Sequence, residues 1–225
     1  MVRASLYSFA VMAFWCLLYP AVSLSEESEK EAQDLKYYLS RGTDLEERGY
    51  IEEAFKEYKK AVKAEPSSYR GYFAMASLQQ KAGDMMGAED NFVRAMELAP
   101  KSRHPLIKNN LAWVYIETGR YVEAEHLMID FYDDNISEAH IYKDTLATAY
   151  SFTGNLLMAK RLYMEAITTV PPTDMKSQLS LYSHIRTMYI REGNISMVYK
   201  LDEILKKLEM GIPANVLDLG IEGLK

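Results

Sequence analysis

Histidine, cysteine and carboxylate side chains are where chemistry would have to reside, and their spacing in this sequence offers little of it. The four histidines, His104, His126, His140 and His184, lie far apart, with none at metal-ligand spacing from another and no HExxH. They read as surface or packing residues, and no metal site is expected. Cys16 is the only cysteine and sits inside an N-terminal apolar stretch, which excludes disulfides, thiolate metal sites and a cysteine nucleophile from the folded part. The acidic group Asp130, Asp133, Asp134 and Glu138 lacks the Asp/Asn alternation and central Gly of a calcium loop and reads as a solvated turn. Asn135 and Asn194 each open an Asn-Ile-Ser sequon, which matters only in a secretory pathway with N-glycosylation, and both sit where turns favour Asn anyway. With no nucleophile, metal or phosphate-binding motif, neither an enzyme nor a cofactor is expected.

The bulk composition says what kind of scaffold carries these residues. Hydrophobic residues make up 48% of 225, with Gly at 11 and Pro at 7, so the chain can bury a core and has few breakers for many short strands. An all-α chain is expected. The formal charge is -6, and basic residues alternate with acidic ones, as in Lys56, Glu57, Lys59 and Lys60. Nucleic acid, which is bound by clustered Lys and Arg, is therefore excluded as the expected partner.

Residues 1–24 carry a short basic start with Arg3, an apolar stretch from Ala4 to about Tyr19, then Pro20 and the small triplet Ala21, Val22, Ser23. That layout is a signal peptide or, if uncleaved, an N-terminal membrane anchor. Arg3 before the stretch and Glu26, Glu27 and Glu29 after it favour an exported C-terminal part. The expected location is the periplasm or another exported compartment, with the membrane touched only through this segment. A lipid anchor on Cys16 is disfavoured, because Phe14 and Trp15 stand where a lipoprotein peptidase needs small side chains. Residues 25–34 read as an acidic linker.

Aligning the chain on Gly49, Gly83, Gly119, Gly154 and Gly193 gives spacings of 34, 36, 35 and 39. Five residues later come Ala54, Ala88, Ala124, Ala159 and Val198; nine later, Tyr58, Phe92, Met128, Tyr163 and Asp202. Pro66, Pro100 and Pro171 close three of the units. Small residues such as Ala112 and Ala124 let two antiparallel helices approach closely, and the glycines mark turns that favour a positive φ. Each helix pair has an apolar face that it buries only by stacking on the next.

This pattern resembles the tetratricopeptide repeat (TPR) family, clearest at Leu111, Ala112, Tyr115 and at Leu146, Ala147, Tyr150. The resemblance implies a right-handed superhelical TPR solenoid of about five helix-turn-helix repeats over 35–208 (35–68, 69–102, 105–138, 140–173 and 179–208), followed by a capping tail, 209–225. The outer units depart from the pattern. Arg41 replaces the usual Leu, Gln79 the usual Tyr, Arg186 the small residue and Asp202 the aromatic one. The tail could instead dock on a partner or in the groove.

The resemblance also implies where binding occurs: a concave groove lined by the first helix of each unit. It nominates Lys36, Leu39, Thr43 and Glu46; Arg70, Phe73, Ser77 and Gln80; Asn109, Asn110, Trp113 and Ile116; Asp144, Thr148 and Ser151; and Ser183, His184 and Thr187. Amides at Asn109 and Asn110 could pair with an extended peptide while Trp113 buries an apolar side chain, or Trp113 packs against neighbouring first helices. The carboxylate clamp of chaperone-binding TPR proteins is not expected, since Leu39, Phe73 or Asn109 stands where its first Lys is needed. The stretch from Asn109 to Tyr121 is similar to exported bacterial TPR proteins that assist pilus, secretion or exopolysaccharide assembly. The function expected is thus a non-catalytic protein- or peptide-binding scaffold in the bacterial cell envelope. The alternative is a self-associating structural protein, a homo-oligomer built through unfilled repeat ends.

Overall fold

The computed structural model describes residues 29–129, 139–214 and 219, and among them every regular element is helical. The leader at 1–24, the acidic group from Asp130 to Glu138, Asn135 and most of the tail lie outside the described residues. No helix among the described residues is long and apolar enough to cross a membrane. The chain divides into two compact units, Met1–Ala99 and Pro100–Lys225.

The first unit holds α1 (29–47), α2 (Ile51–Ala64), α3 (Tyr69–Lys81) and α4 (Met85–Leu98). Helix α1 is already formed at residue 29, so the second half of the stretch read as an acidic linker is helical, and Leu35 beside it is buried. The core gathers Ala54, Tyr58, Met75 and Leu78. Gly42 shows why the small position in a first helix is small: a Cβ there would lie 2.3 Å from Tyr58 Cε1. Phe73 packs edge-on against Phe92, with centroids 5.7 Å apart at 65°.

In the second unit, a 3-10 turn at Lys101–Arg103 leads into α5 (His104–Glu117), α6 (Tyr121–Met128), α7 (Ala139–Thr153), α8 (Leu156–Thr169), α9 (Met175–Glu192) and α10 (Ile195–Glu209). Helices α5, α7 and α9 pack side by side, each followed by its antiparallel partner. One continuous core runs through them, from Ala112 and Met128 through Leu146, Tyr163 and Leu181 to Leu208. Gly119 (φ 78°) and Gly154 (φ 93°) occupy the left-handed region at the turn within each pair, where any side chain is strained. Asn155, Asp174 and Asn194 cap α8, α9 and α10 by accepting from the N–H three residues on.

The departures from the repeat pattern are compensated locally. Gln79, standing where Tyr is usual, donates to Asp84 at 2.7 Å and accepts from Asn91 Nδ2 at 2.7 Å. Gly87 makes room for it, since a Cβ at 87 would fall 1.9 Å from Gln79 Nε2. Arg41 is exposed, donates to Tyr37 Oη at 3.1 Å and faces the buried Glu57 carboxylate at 3.8 Å. Arg186 and Asp202, the small-position and aromatic-position exceptions of the last unit, form an ion pair with each other.

The tail returns to the core. Helix α10 ends at Glu209, and Gly211 takes a positive φ of 78°. The Ala214 N–H donates to Gln178 Oε1 at 3.1 Å, while the Gln178 amide donates to the carbonyls of Pro171 and Pro172. Leu219 is 2% exposed among Tyr163 and Met164 of α8, Ile185, Met188 and Tyr189 of α9, and Met197 of α10.

Candidate functional site

The first helices of the second unit carry two layers of polar side chains. The inner layer is consumed by the fold. Asn109 is buried and accepts a hydrogen bond from Thr145 Oγ1 at 2.7 Å, tying α5 to α7. Thr148 is buried with its hydroxyl donating to the Asp144 carbonyl at 2.8 Å and 3.0 Å from the Tyr163 hydroxyl on α8. Burial, with the Asp144 carboxylate second, holds that phenol above its ordinary range. Ser151 Oγ donates to the Thr148 carbonyl, and Ile116 belongs to the core. Of the nominated groove residues, Asn109, Ile116 and Thr148 are therefore walled in by their own structure and have no polar face to offer a ligand.

The outer layer is organised around Trp113. Its half-buried ring lies 4.8 Å from the His184 ring, centroid to centroid, tilted by 35°. His184 Nδ1 is 2.9 Å from each oxygen of Asp144. An ionised carboxylate only accepts, so this geometry puts the proton on Nδ1. Three helices thus meet in one contact: the ring from α5, the imidazole from α9 and the carboxylate from α7. Asn110 is half-buried and spends one amide proton on the Leu106 carbonyl at 2.8 Å. Thr187 is exposed and donates to Ser183 O at 2.9 Å.

In the first unit, Arg70 is exposed, Ser77 is half-buried, and Phe73 is engaged with Phe92. Glu46 is tied to Lys81 and accepts from Tyr58 Oη at 2.7 Å. Desolvation pushes its carboxyl up, but the Lys81 and Tyr58 hydrogen bonds and the Lys81 charge prevail and hold it below the ordinary range.

Sequence reasoning missed the cavity beside Trp113. It has a volume of about 360 Å³ and is lined by Trp113, by His140, Ile141 and Asp144 at the start of α7, and by Asp174, Lys176, Ser177, Ser180 and Leu181 at the start of α9. His140 is 7% exposed, and its Nε2 is buried without a hydrogen-bond partner. The Asp174 carboxyl is held below the usual carboxylate range by the Ser177 side chain and N–H, with His140 and Lys176 adding to the effect. Repeat arithmetic puts Asp144 level with Ser183 and only one residue out of register with His184, the signal that could have joined those two. Nothing in the spacing singled out His140 or Asp174.

Helix pairs of this length, with small residues at the crossings of all units but the last and a row of first helices bearing the polar layer, define a helical-repeat protein. The profile of the Tetratricopeptide repeat family matches residues 27–168, and the chain belongs to that family. The human Protein O-mannosyl-transferase TMTC1 is 29% identical over 92 residues, which take in 41% of this chain and 10% of that protein. The chain thus spans about a tenth of the length of the curated relatives it matches. Among solved structures, the fold is similar to PilF of Pseudomonas aeruginosa, at 18% identity and a TM-score of 0.63, covering 85% of this chain and 83% of that one. It is also similar to PilW, a type IV pilus biogenesis factor, at 14% identity and a TM-score of 0.68, covering 83% and 82%.

Proposed function

We propose that this chain is a non-catalytic scaffold that binds a protein or peptide segment along α5, α7 and α9 and assists assembly of a multiprotein complex in the cell envelope. The observation that carries the reading is the cavity beside Trp113: a half-buried aromatic ring and two carboxylates line it on the face that TPR proteins use for recognition. The location is supported by residues 1–24, whose basic start, apolar stretch and small-residue triplet have the layout of an export signal or anchor. Of a pilus, secretion or exopolysaccharide role, the first is supported by the fold shared with PilW, a type IV pilus biogenesis factor.

Photo-crosslinking in cells from position 180, at the cavity, with Lys200 of α10 as control, tests the binding reading. One envelope protein captured from position 180 and not from 200 is the expected result. Equal capture from both positions, or none from either, would overturn it. Fusing alkaline phosphatase after residue 28 tests the location, since the fusion is active only if exported.

A further inference from the structure

We propose that the cavity beside Trp113 takes a basic side chain, arginine or lysine, from the bound segment. The inference rests on the reading of this face as the binding surface and adds the chemistry of what enters it.

The walls accept hydrogen bonds more than they donate them. Asp144 and Asp174 supply carboxylates, and Ser177 and Ser180 supply hydroxyls that accept as readily as they donate. Lys176 is the one cation among the lining residues, and it is exposed. Arginine and lysine side chains donate only, so they complement this set where a carboxylate or an amide does not. His184 does not exhaust Asp144, since a carboxylate has about four lone-pair sites.

The apolar walls fit the same occupant. Ile141 and Leu181 can line the methylene stem of a long basic side chain, and the Trp113 ring offers a cation a face to lie against. A volume of about 360 Å³ has room for one such side chain.

The test titrates three blocked tripeptides, Gly-Arg-Gly, Gly-citrulline-Gly and Gly-Glu-Gly, into the full chain and follows the Trp113 indole and His140 ring resonances. Citrulline keeps the shape of arginine and removes its charge. The arginine peptide is expected to shift both resonances to saturation, and the citrulline peptide to bind at least about tenfold more weakly. Ser180→Lys, at an exposed position, should weaken the arginine peptide by a similar factor with an unchanged melting temperature. Equal binding of arginine and citrulline peptides, preference for glutamate, or no shift up to the solubility limit would each overturn the proposal. Those outcomes leave the scaffold reading standing, because crosslinking from position 180 reports occupancy whatever the occupant's charge. Arginine-selective binding without specific crosslinking would instead count against the scaffold reading alone.

Discussion

The Trp113 ring on α5 and the His184 ring on α9 meet at 4.8 Å, tilted by 35°, although the helix that packs against both of theirs is α7. The two rings close a bridge across the first-helix row, and Asp144 on α7 anchors its far end through His184 Nδ1. Trp113 is therefore at once a packing residue and the wall of a cavity. Trp113→Ala is expected to remove about 2 kcal/mol from the stability of the second unit, because the ring is half-buried and not fully enclosed. Urea denaturation measures it; a loss below about 0.5 kcal/mol would mean that the bridge contributes little beyond surface contact.

The Asp144–His184 contact predicts energetic coupling. Both groups are largely withdrawn from solvent, and each oxygen of Asp144 lies 2.9 Å from the imidazole nitrogen. A double-mutant cycle with Asp144→Asn and His184→Gln should return a coupling of about 1 kcal/mol, the scale of a hydrogen bond with one charged partner after partial solvent exposure. Additive effects of the two substitutions would show that the geometry does not hold in solution.

Much of the fold was legible because TPR packing uses one position for one task. Gly119 and Gly154 could be placed at turns from spacing alone, since a positive φ selects the residue type regardless of context. The site was less legible. Asn109, Asn110 and Trp113 share one candidate face by spacing, yet Asn109 faces inward to Thr145 while Trp113 faces His184. Helical periodicity fixes a face only to within a residue or so, and that margin separates a buried clasp from a ligand-facing side chain. The cavity was invisible for another reason: His140 opens one repeat, Asp174 lies in the connection after it, and their convergence depends on how α9 packs against α7.

Glu46 gives the first unit a pH dependence of definite sign. Its folded carboxyl titrates below the ordinary 4.5, so between the folded value and 4.5 the unfolded chain binds more protons. The stability it contributes is therefore present above pH 4.5 and lost as pH falls through the folded value. Glu46→Gln should flatten that part of the stability-pH curve, read from thermal melts at a series of acidic pH values. An unchanged slope would show that the Lys81 and Tyr58 bonds do not hold the ionised form.

The buried Leu219 argues for a capping role of the tail. Its side chain is enclosed by residues of α8, α9 and α10, and Gln178 fixes the approach at Ala214. Leu219→Ala should cost about 2–4 kcal/mol, the usual range for a buried leucine, and removing residues 213–225 should lower the melting temperature of the second unit. A tail that could be deleted without loss of stability would belong to a partner instead.

Arg186 and Asp202 stand where the other units place a small residue and a large apolar one, pairs such as Gly42 with Tyr58 and Ala147 with Tyr163. Those two positions are in direct contact: a Cβ on Gly42 would run into the Tyr58 ring. The last unit replaces that packing contact with an ion pair whose side chains are 36% and 44% exposed, a setting in which ion pairs contribute only about 0.2–1 kcal/mol. Either single substitution toward the common pattern should be neutral or harmful. Arg186→Ala leaves Asp202 unpaired beside a gap, and Asp202→Tyr presses a ring against the guanidinium. Together they restore the small-aromatic pair, and the double variant should exceed the sum of the singles by about 1–2 kcal/mol as the ring is buried. Strict additivity in guanidinium denaturation would show that the two departures are independent and that their pairing in the structure carries no compensating energy.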